Sequence, residues 1–187
     1  MFIQTEVTPN PATLKFLPGQ SVMDSGTANF PTREDAAASP LASRLYEIEG
    51  VNGVFFGANF ITVTKADDRE WNWLKPPVLG LIMKHFTSGA SLFTDGGTDS
   101  GAVSAHAASD EDDELVAQIK ELLDTRIRPA VAQDGGDILF HGFEGGVVYL
   151  HMQGSCSGCP SSTATLKAGI ENMLRHYIPE VVEVRPV

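Results

Sequence analysis

The sequence predicts an α+β protein made of two small α/β-sandwich-like domains that an acidic flexible linker joins. Each half contains short runs rich in β-branched and aromatic residues, as strands do, together with runs of apolar residues at helical spacing. A polar stretch separates the halves, which places the domains at 1–93 and 114–187 and the linker at 94–113. No solenoid-type repeat occurs, so the two domains are different units.

The N-terminal half predicts two strands, a helix, a hairpin and a second helix. Pro40 stands where the first turn of a helix tolerates proline, because that residue's N–H has no partner inside the helix. Pro76 and Pro77 are expected near the start of the second helix or at a bend in it. The predicted elements are Phe2–Val7, Thr13–Phe16, Pro40 to Ile48, Val51–Lys65 and Glu70 to His85.

The C-terminal half predicts the order helix, strand, strand, loop, helix, strand. Gly135 and Gly136, flanked by two aspartates, are interpreted as the stop and turn that end the first helix. The segment Glu144-Gly145-Gly146 predicts a hairpin turn between the first two strands. The predicted elements are Leu115 to Val131, Asp137–Phe143, Val147–Met152, Leu166 to Tyr177 and Val181–Arg185.

The net charge of −11 is concentrated in one short segment. Residues 94–114 contain seven acids and no base, whereas 1–93 and 115–187 each have a net charge of −2. A small, polar, acidic segment has little to bury, which is typical of a solvated linker. Neither half is basic, so nucleic acid is not an expected partner.

Other bulk properties indicate a soluble globular protein. Apolar residues make up 42% of the chain and charged residues 20%, and no segment approaches the roughly 18 apolar residues that a membrane span needs. The N-terminal residues show neither a signal peptide nor a transit peptide. A cytoplasmic location is expected, or the mitochondrial matrix if the chain comes from a eukaryote and a transit peptide has been removed.

Both cysteines of the chain, Cys156 and Cys159, lie in one tetrapeptide between a predicted strand and a predicted helix. A disulfide-stapled protein would distribute its cysteines, so this pair indicates local chemistry. The spacing allows both sulfurs to approach one metal centre. The start of the following helix, with Pro160 in its first turn, is expected to favour the thiolate, the form that binds metal.

Four interpretations of the pair remain open on spacing alone. The cysteines could be packing residues, although packing does not require two of them across a Gly-containing turn. They could form a dithiol–disulfide oxidoreductase site, for which C-x-x-C is also a signature. They could bind structural zinc with two histidines, but no pair has the close spacing of a zinc finger, and His141 and His151 fall on neighbouring strands. The histidines are His85, His106, His141, His151 and His176.

The fourth interpretation is an iron–sulfur cluster, which four cysteine thiolates typically hold. One chain supplies two thiolates, so the chain has half a site and a twofold-symmetric homodimer would complete it. A cluster held at a surface by two ligands from each chain can be passed to a recipient by ligand exchange. This favours a carrier over a permanent electron-transfer centre, and no enzymatic turnover is expected.

The chain also resembles the Nfu/NifU family of iron–sulfur scaffold proteins. The C-terminal half is similar to the NifU C-terminal domain, and the N-terminal half to the domain fused to it in Nfu proteins. The residues that carry the first similarity are Leu122 to Pro129, Asp134-Gly135-Gly136-Asp137, Gly154 to Ser162 with Cys156 and Cys159, and Thr165 to Glu171. Those that carry the second are Thr8 to Pro11, Leu14 to Phe16, Ser39 to Ala42 and Ile61 to Lys65.

The resemblance implies a [4Fe-4S] cluster that bridges two chains through Cys156 and Cys159 and is delivered to recipient apo iron–sulfur proteins. Upstream assembly factors are implied as partners, and the N-terminal domain is associated with partner contacts. The chain lacks the cysteine-bearing N-terminal scaffold and the ferredoxin-like domain of full-length NifU from nitrogen fixation. General maturation of iron–sulfur proteins is therefore expected, not a role dedicated to nitrogenase.

Overall fold

The computed structural model describes residues 1–94, 110–157 and 160–187, with side chains described except at 110–113 and 160–162. The chain divides into two compact units, Met1–Gly101 and Ala102–Val187. Each unit packs helices on a β-sheet, which confirms the α+β prediction. Most of the predicted flexible linker lies outside the described residues.

Unit 1 contains one antiparallel sheet of five strands and two α-helices. Its elements are β1 (Gln4–Val7), β2 (Thr13–Leu17), β3 (Ala28–Phe30), α1 (Pro40–Tyr46), β4 (Val51–Phe56), β5 (Ile61–Lys65) and α2 (Trp71–Ser88). The strand order is β1-β2-β5-β4-β3. The predicted hairpin is confirmed, since β4 and β5 pair with Phe56 opposite Ile61.

The core of unit 1 lies on one face of this sheet, where the inward side chains of the strands meet α1 and α2. Phe16, Phe56, Leu41, Leu45 and Ile82 are fully buried there. The α1 helix begins as its sequence predicts, because Ser39 caps it by accepting a hydrogen bond from the Ala42 N–H at 3.3 Å.

Two short elements of unit 1 were not predicted, and one helix differs in detail. The strand β3 and a 3-10 helical turn at Asp35–Ala38 are each too short to give a periodic pattern. The helix α2 continues through Pro76 and Pro77. Both prolines lie on its exposed side, where water can satisfy the carbonyls that lose an N–H donor.

Unit 2 packs its helices on a three-stranded sheet. Its elements are α3 (Asp110–Leu122), α4 (Arg128–Gln133), β6 (Gly136–Glu144), β7 (Val147–Gly154), α5 (Pro160–Tyr177) and β8 (Glu183–Pro186). The strand order is β6-β7-β8, with β6 antiparallel and β8 parallel to β7. The helix α3 begins at Asp110, so the last residues of the predicted linker belong to its first turn.

The single helix predicted from Leu115 to Val131 is interrupted by a π-helical turn at Leu123–Ile127. Pro129 has no N–H to donate to the carbonyl four residues earlier, and its ring crowds that carbonyl. The backbone widens instead, and the Arg128 N–H bonds to the Leu123 carbonyl five residues earlier. Leu123 and Ile127 remain buried in this turn.

No helix in the described part of the chain has both the length and the apolar character needed to cross a membrane.

Candidate metal centre

The cysteine loop starts where β7 ends. Gly154 has φ of 66°, a left-handed conformation that favours glycine, and it turns the chain out of the strand. The Ser157 N–H and hydroxyl both donate to the Gly154 carbonyl, at 3.1 and 2.8 Å. The Thr163 hydroxyl in the first turns of α5 donates to the Cys156 carbonyl at 3.1 Å. The loop backbone around Cys156 is therefore held from the strand on one side and the helix on the other.

Of the two predicted ligands, the structure describes one. Cys156 is buried, with 5% of its surface exposed, and it packs with Met152 in the apolar core of unit 2. Cys159 lies outside the described residues. Cys156 thus points inward in this conformation, whereas the sequence predicted a sulfur presented at a surface.

The floor beneath Cys156 is the backbone at the start of β6. The Ser155 N–H donates to the Gly135 carbonyl at 3.2 Å, and the Ser155 hydroxyl donates to the Asp134 carbonyl. A Cβ added to Gly136 would lie 2.6 Å from the Cys156 Sγ and 2.7 Å from the Gln153 carbonyl oxygen. Residue 136 must therefore be glycine for the sulfur to occupy this position.

This role of Gly136 was missed when the glycine pair was interpreted only as a helix stop. That interpretation fits Gly135, whose φ of 80° turns the chain between α4 and β6. Gly136 itself lies in β6, directly opposite Gly154 in the register of the sheet. The turn needs only one residue in the left-handed conformation. The second glycine of the pair was therefore the signal in the sequence that Gly136 has another role.

An ion pair with Arg128 stabilises Asp137, the residue that follows Gly136. The Asp137 carboxylate is 3% exposed and accepts two hydrogen bonds from the Arg128 guanidinium, each of 2.8 Å, and a third from the Ile138 N–H at 2.8 Å. Arg128 also reaches Asp124 at 3.0 Å. This bidentate pair raises the pKa of Arg128 and fixes the helical segment to the strand whose first residue contacts Cys156.

The electrostatics of Cys156 contradict the expectation that the loop favours the thiolate. The pKa of the Cys156 thiol is raised to about 11, chiefly by burial; a hydrogen bond with Ser155 acts in the opposite direction, and Asp134 and Asp137 make smaller contributions that raise the pKa. The thiol is protonated at neutral pH in this conformation. Binding a soft metal must therefore displace a proton from the sulfur.

The four histidines in the described part of the chain do not form an alternative ligand set. His141 and His151 are exposed on β6 and β7, and the His151 Nδ1 lies 3.0 Å from the Val187 carbonyl. His176 packs edge-on against Tyr177, and His85 is buried in unit 1. His106 lies outside the described residues. No group of three or more His, Cys, Asp or Glu side chains in the described ranges is placed to hold a metal ion.

The fold and the loop define the class of protein: a two-unit α+β chain whose second unit carries a C-x-x-C segment between a strand and a helix. Residues 3–89 match the family described as "Scaffold protein Nfu/NifU N terminal", and residues 119–185 match the "NifU-like domain" family. The chain belongs to the Nfu/NifU family, as its sequence motifs predicted.

Two relatives by sequence support the same assignment over nearly the whole chain. A human protein named "NFU1 iron-sulfur cluster scaffold homolog, mitochondrial" is 57% identical over 188 residues, covering 100% of this chain and 72% of the relative. An Arabidopsis thaliana protein named "NifU-like protein 4, mitochondrial" is 56% identical, covering 97% of this chain and 64% of the relative. The solution structure of a NifU-like protein from Saccharomyces cerevisiae is 26% identical, with a TM-score of 0.46, covering 50% of this chain and 85% of that one.

Proposed function

We propose that this protein is an iron–sulfur cluster scaffold and carrier that holds its cargo through Cys156 and Cys159. The observation that carries the proposal is the C-x-x-C segment inside the matched NifU-like region, in a chain 57% identical to a relative named as an iron–sulfur cluster scaffold. The cluster is cargo, so the protein binds and releases it and catalyses no reaction.

The number of sulfur donors determines the assembly. A [4Fe-4S] cluster is typically bound by four thiolates, and each chain contributes two cysteines. Two copies therefore share one cluster in a homodimer. A twofold axis through the cluster brings the same loop of each copy to it. Because each chain contributes only half of the ligands, a recipient can replace them stepwise.

The buried, protonated Cys156 fits a carrier that alternates between empty and loaded states. In the empty state, the apolar surroundings and the raised pKa of the Cys156 thiol protect it from oxidation. Loading requires the sulfur to turn away from Gly136 and to lose its proton. On release of the cluster, the sulfur takes up a proton and returns to its buried position against Gly136, and this return favours release.

The same features argue against the alternative of a dithiol–disulfide oxidoreductase. Such enzymes attack through a thiolate whose pKa is lowered towards neutral pH, and the attacking sulfur must be accessible. Here the pKa of Cys156 is raised to about 11 and the side chain is 5% exposed.

We further propose that the recipients are apo iron–sulfur proteins and that upstream assembly factors supply the cluster. Two relatives at more than 50% identity are named as mitochondrial, so we propose the mitochondrial matrix as the location in a eukaryote and the cytoplasm otherwise. General iron–sulfur maturation is the role that the family implies.

Anaerobic reconstitution of the full chain with iron and sulfide tests the proposal. The loaded protein should bind about two irons per chain, show the Mössbauer spectrum of a [4Fe-4S] cluster, and sediment as a dimer. Cys156→Ser should abolish the iron content and the dimer while leaving the empty chain folded, although a hydroxyl in place of the buried thiol should lower its melting temperature. His141→Ser and His151→Ser, which change exposed side chains on the same sheet, should leave both unchanged.

Loaded protein should then activate an apo iron–sulfur enzyme faster than free iron and sulfide do, in the presence of a chelator. A monomer whose iron content survives removal of both thiols would contradict the proposal. A colourless chain that reduces disulfides with multiple turnovers would favour the oxidoreductase instead.

A further inference from the structure

The outer side of α2 in unit 1 is unusual for an exposed helix face. Trp73 is 82% exposed and Met83 is 41% exposed, and both prolines of the helix lie on the same side. Residues 73, 77, 80 and 84 recur about once per turn, so they form one row along the helix. We call this row, Trp73, Pro77, Gly80 and Lys84, the outer row of α2.

The middle of the outer row has no side chain. Gly80 is helical and exposed, and a Cβ built on it would meet nothing within 4 Å in the described chain. Glycine is a poor helix former, and neither a turn nor a close internal contact requires it here. A glycine in the interior of an exposed helix is explained if the backbone of another molecule must approach closely at that point.

The outer row also has a charge opposite to that of the whole chain. The α2 helix contains Lys75 and Lys84 and no acidic residue, in a protein of net charge −11. Lys84 is exposed on the outer row, whereas Lys75 is half-buried on the opposite side of the helix, two residues from Trp73. Lys84 forms no salt bridge within the described chain. Its charge is therefore available to a partner that carries carboxylates.

We propose that the outer row of α2 is a docking surface for an acidic amphipathic helix of another protein. The partner's apolar residues would pack on Trp73 and into the shallow position above Gly80, and its carboxylates would reach Lys84. The row spans about 16 Å, which accommodates three turns of a partner helix. Exposed tryptophans are frequent anchors of protein interfaces, and an amphipathic helix binds through apolar residues spaced one turn apart.

A second copy of this chain does not supply such a helix. Its own acidic helix is α3, but the apolar face of α3 is already used, since Ile119 is fully buried in the core of unit 2. The partner is therefore a different protein. Identifying that partner as a recipient of the cluster rests on the proposed function, whereas the docking surface itself does not.

Two synthetic helical peptides of about three turns test the surface on the empty full-length chain. Both carry leucines at i, i+4 and i+7; one has glutamates at the flanking positions and the other has lysines there. Binding is measured by calorimetry and by the fluorescence of Trp73, because the only other tryptophan, Trp71, is partly buried against Phe16 and donates its indole N–H to the Pro11 carbonyl at 3.2 Å.

The glutamate peptide should bind at least tenfold more tightly than the lysine peptide and shift the emission of Trp73 to shorter wavelength. Trp73→Ala should abolish binding, and Lys84→Glu should reverse the preference between the peptides. Gly80→Ala should raise the melting temperature, because alanine is the better helix former, and yet weaken binding at least tenfold. Gly169→Ala, at an equally open position in α5, is the matched control and should leave binding unchanged.

Equal binding of the two peptides, no binding of either, or full binding by Gly80→Ala would each overturn the inference. Concentration-dependent dimerisation of the empty chain that Trp73→Ala abolishes would also overturn it, since a second copy would then cover the surface. Peptide binding by a chain that cannot be reconstituted would refute the proposed function alone. Failure of both peptides with a chain that loads normally would refute the docking surface alone.

Discussion

The contact between Gly136 and Cys156 gives the sharpest test of the site. Gly136→Ala places a Cβ 2.6 Å from the Cys156 Sγ and 2.7 Å from the Gln153 carbonyl oxygen, whereas ordinary contact begins at 3.4 Å. The φ of Gly136 is not in the left-handed region, so alanine introduces no backbone strain of its own. The clash is the whole perturbation.

The loss of stability in Gly136→Ala can be estimated from the atoms that must move. The sulfur and the backbone of β7 would each have to retreat by roughly 0.8 Å, in an interior packed without free volume. The second contact is with main chain that pairs with β6, so side-chain rotation alone cannot relieve it. Overpacking of this kind costs about 1–3 kcal/mol, which lowers the melting temperature of a unit of this size by roughly 5–15 °C.

Thermal unfolding followed by circular dichroism measures the loss, and reconstitution measures the iron bound per chain. Gly142→Ala is the matched control, because it makes the same substitution in β6 where a Cβ meets nothing within 4 Å. Gly136→Ala should melt lower than Gly142→Ala and bind less iron at equal iron and sulfide. If the two variants melt together and load equally, the sulfur does not rest against Gly136 and the account of the floor is wrong.

Three further predictions concern buried polar groups. In the Cys159→Ser variant, the rate of Cys156 alkylation by iodoacetamide should keep rising up to about pH 11 in the native chain but level off near pH 9 in urea. The reason is that burial raises the pKa of the Cys156 thiol. Equal pH profiles in the two conditions would refute the burial. Arg128→Gln should destabilise the chain to urea by about 1.5–3 kcal/mol, because it removes the positive charge that faces the buried Asp137 carboxylate from a side chain that is itself one-third exposed. Combining Arg128→Gln with Asp137→Asn should recover much of the loss, and additive losses would contradict the pairing. His85 is 1% exposed with neither ring nitrogen hydrogen-bonded, and burial, aided by the positive charge of Arg44, lowers its pKa. Unit 1 should therefore lose stability as the pH falls below about 6.5, because the unfolded chain then takes up a proton that the folded chain resists. His85→Phe should remove that pH dependence in urea titrations.

The sequence predicted well those elements that are long enough to show a hydrophobic pattern or that are bounded by a capping residue, a proline or a glycine turn. Ser39 and Pro40 marked the start of α1, and the Gly145-Gly146 turn marked the hairpin of β6 and β7. The strand β3 was missed because three residues cannot show alternation. The π-helical turn was missed because apolar spacing does not reveal which backbone carbonyl a helical N–H reaches.

For the candidate site, the sequence indicates which residues are candidate ligands, and their role stays a prediction; how the described ones are arranged could not be predicted. Cys156 was recognised from its spacing to Cys159, but its inward orientation depends on the fit of its sulfur against Gly136, which is a long-range contact. The effect of the helix start on the thiol was overestimated because burial was not considered, and burial is the largest influence on the pKa of Cys156. Arg128 and Asp137 are nine residues apart, and only the fold shows that they pair.

The pairing of β7 has a consequence for how the loop can open. Its first half, Val147 to Leu150, is hydrogen-bonded between β6 and β8, while Met152 to Gly154 pair with β6 alone. The strand is therefore anchored at the end far from the cysteines and held on a single side at the near end. Opening the loop at Gly154 would break the hydrogen bonds of Ser155 to Asp134 and Gly135 but leave the anchored half of β7 paired on both sides, so the loading and release of a cluster that we propose need not disturb the sheet.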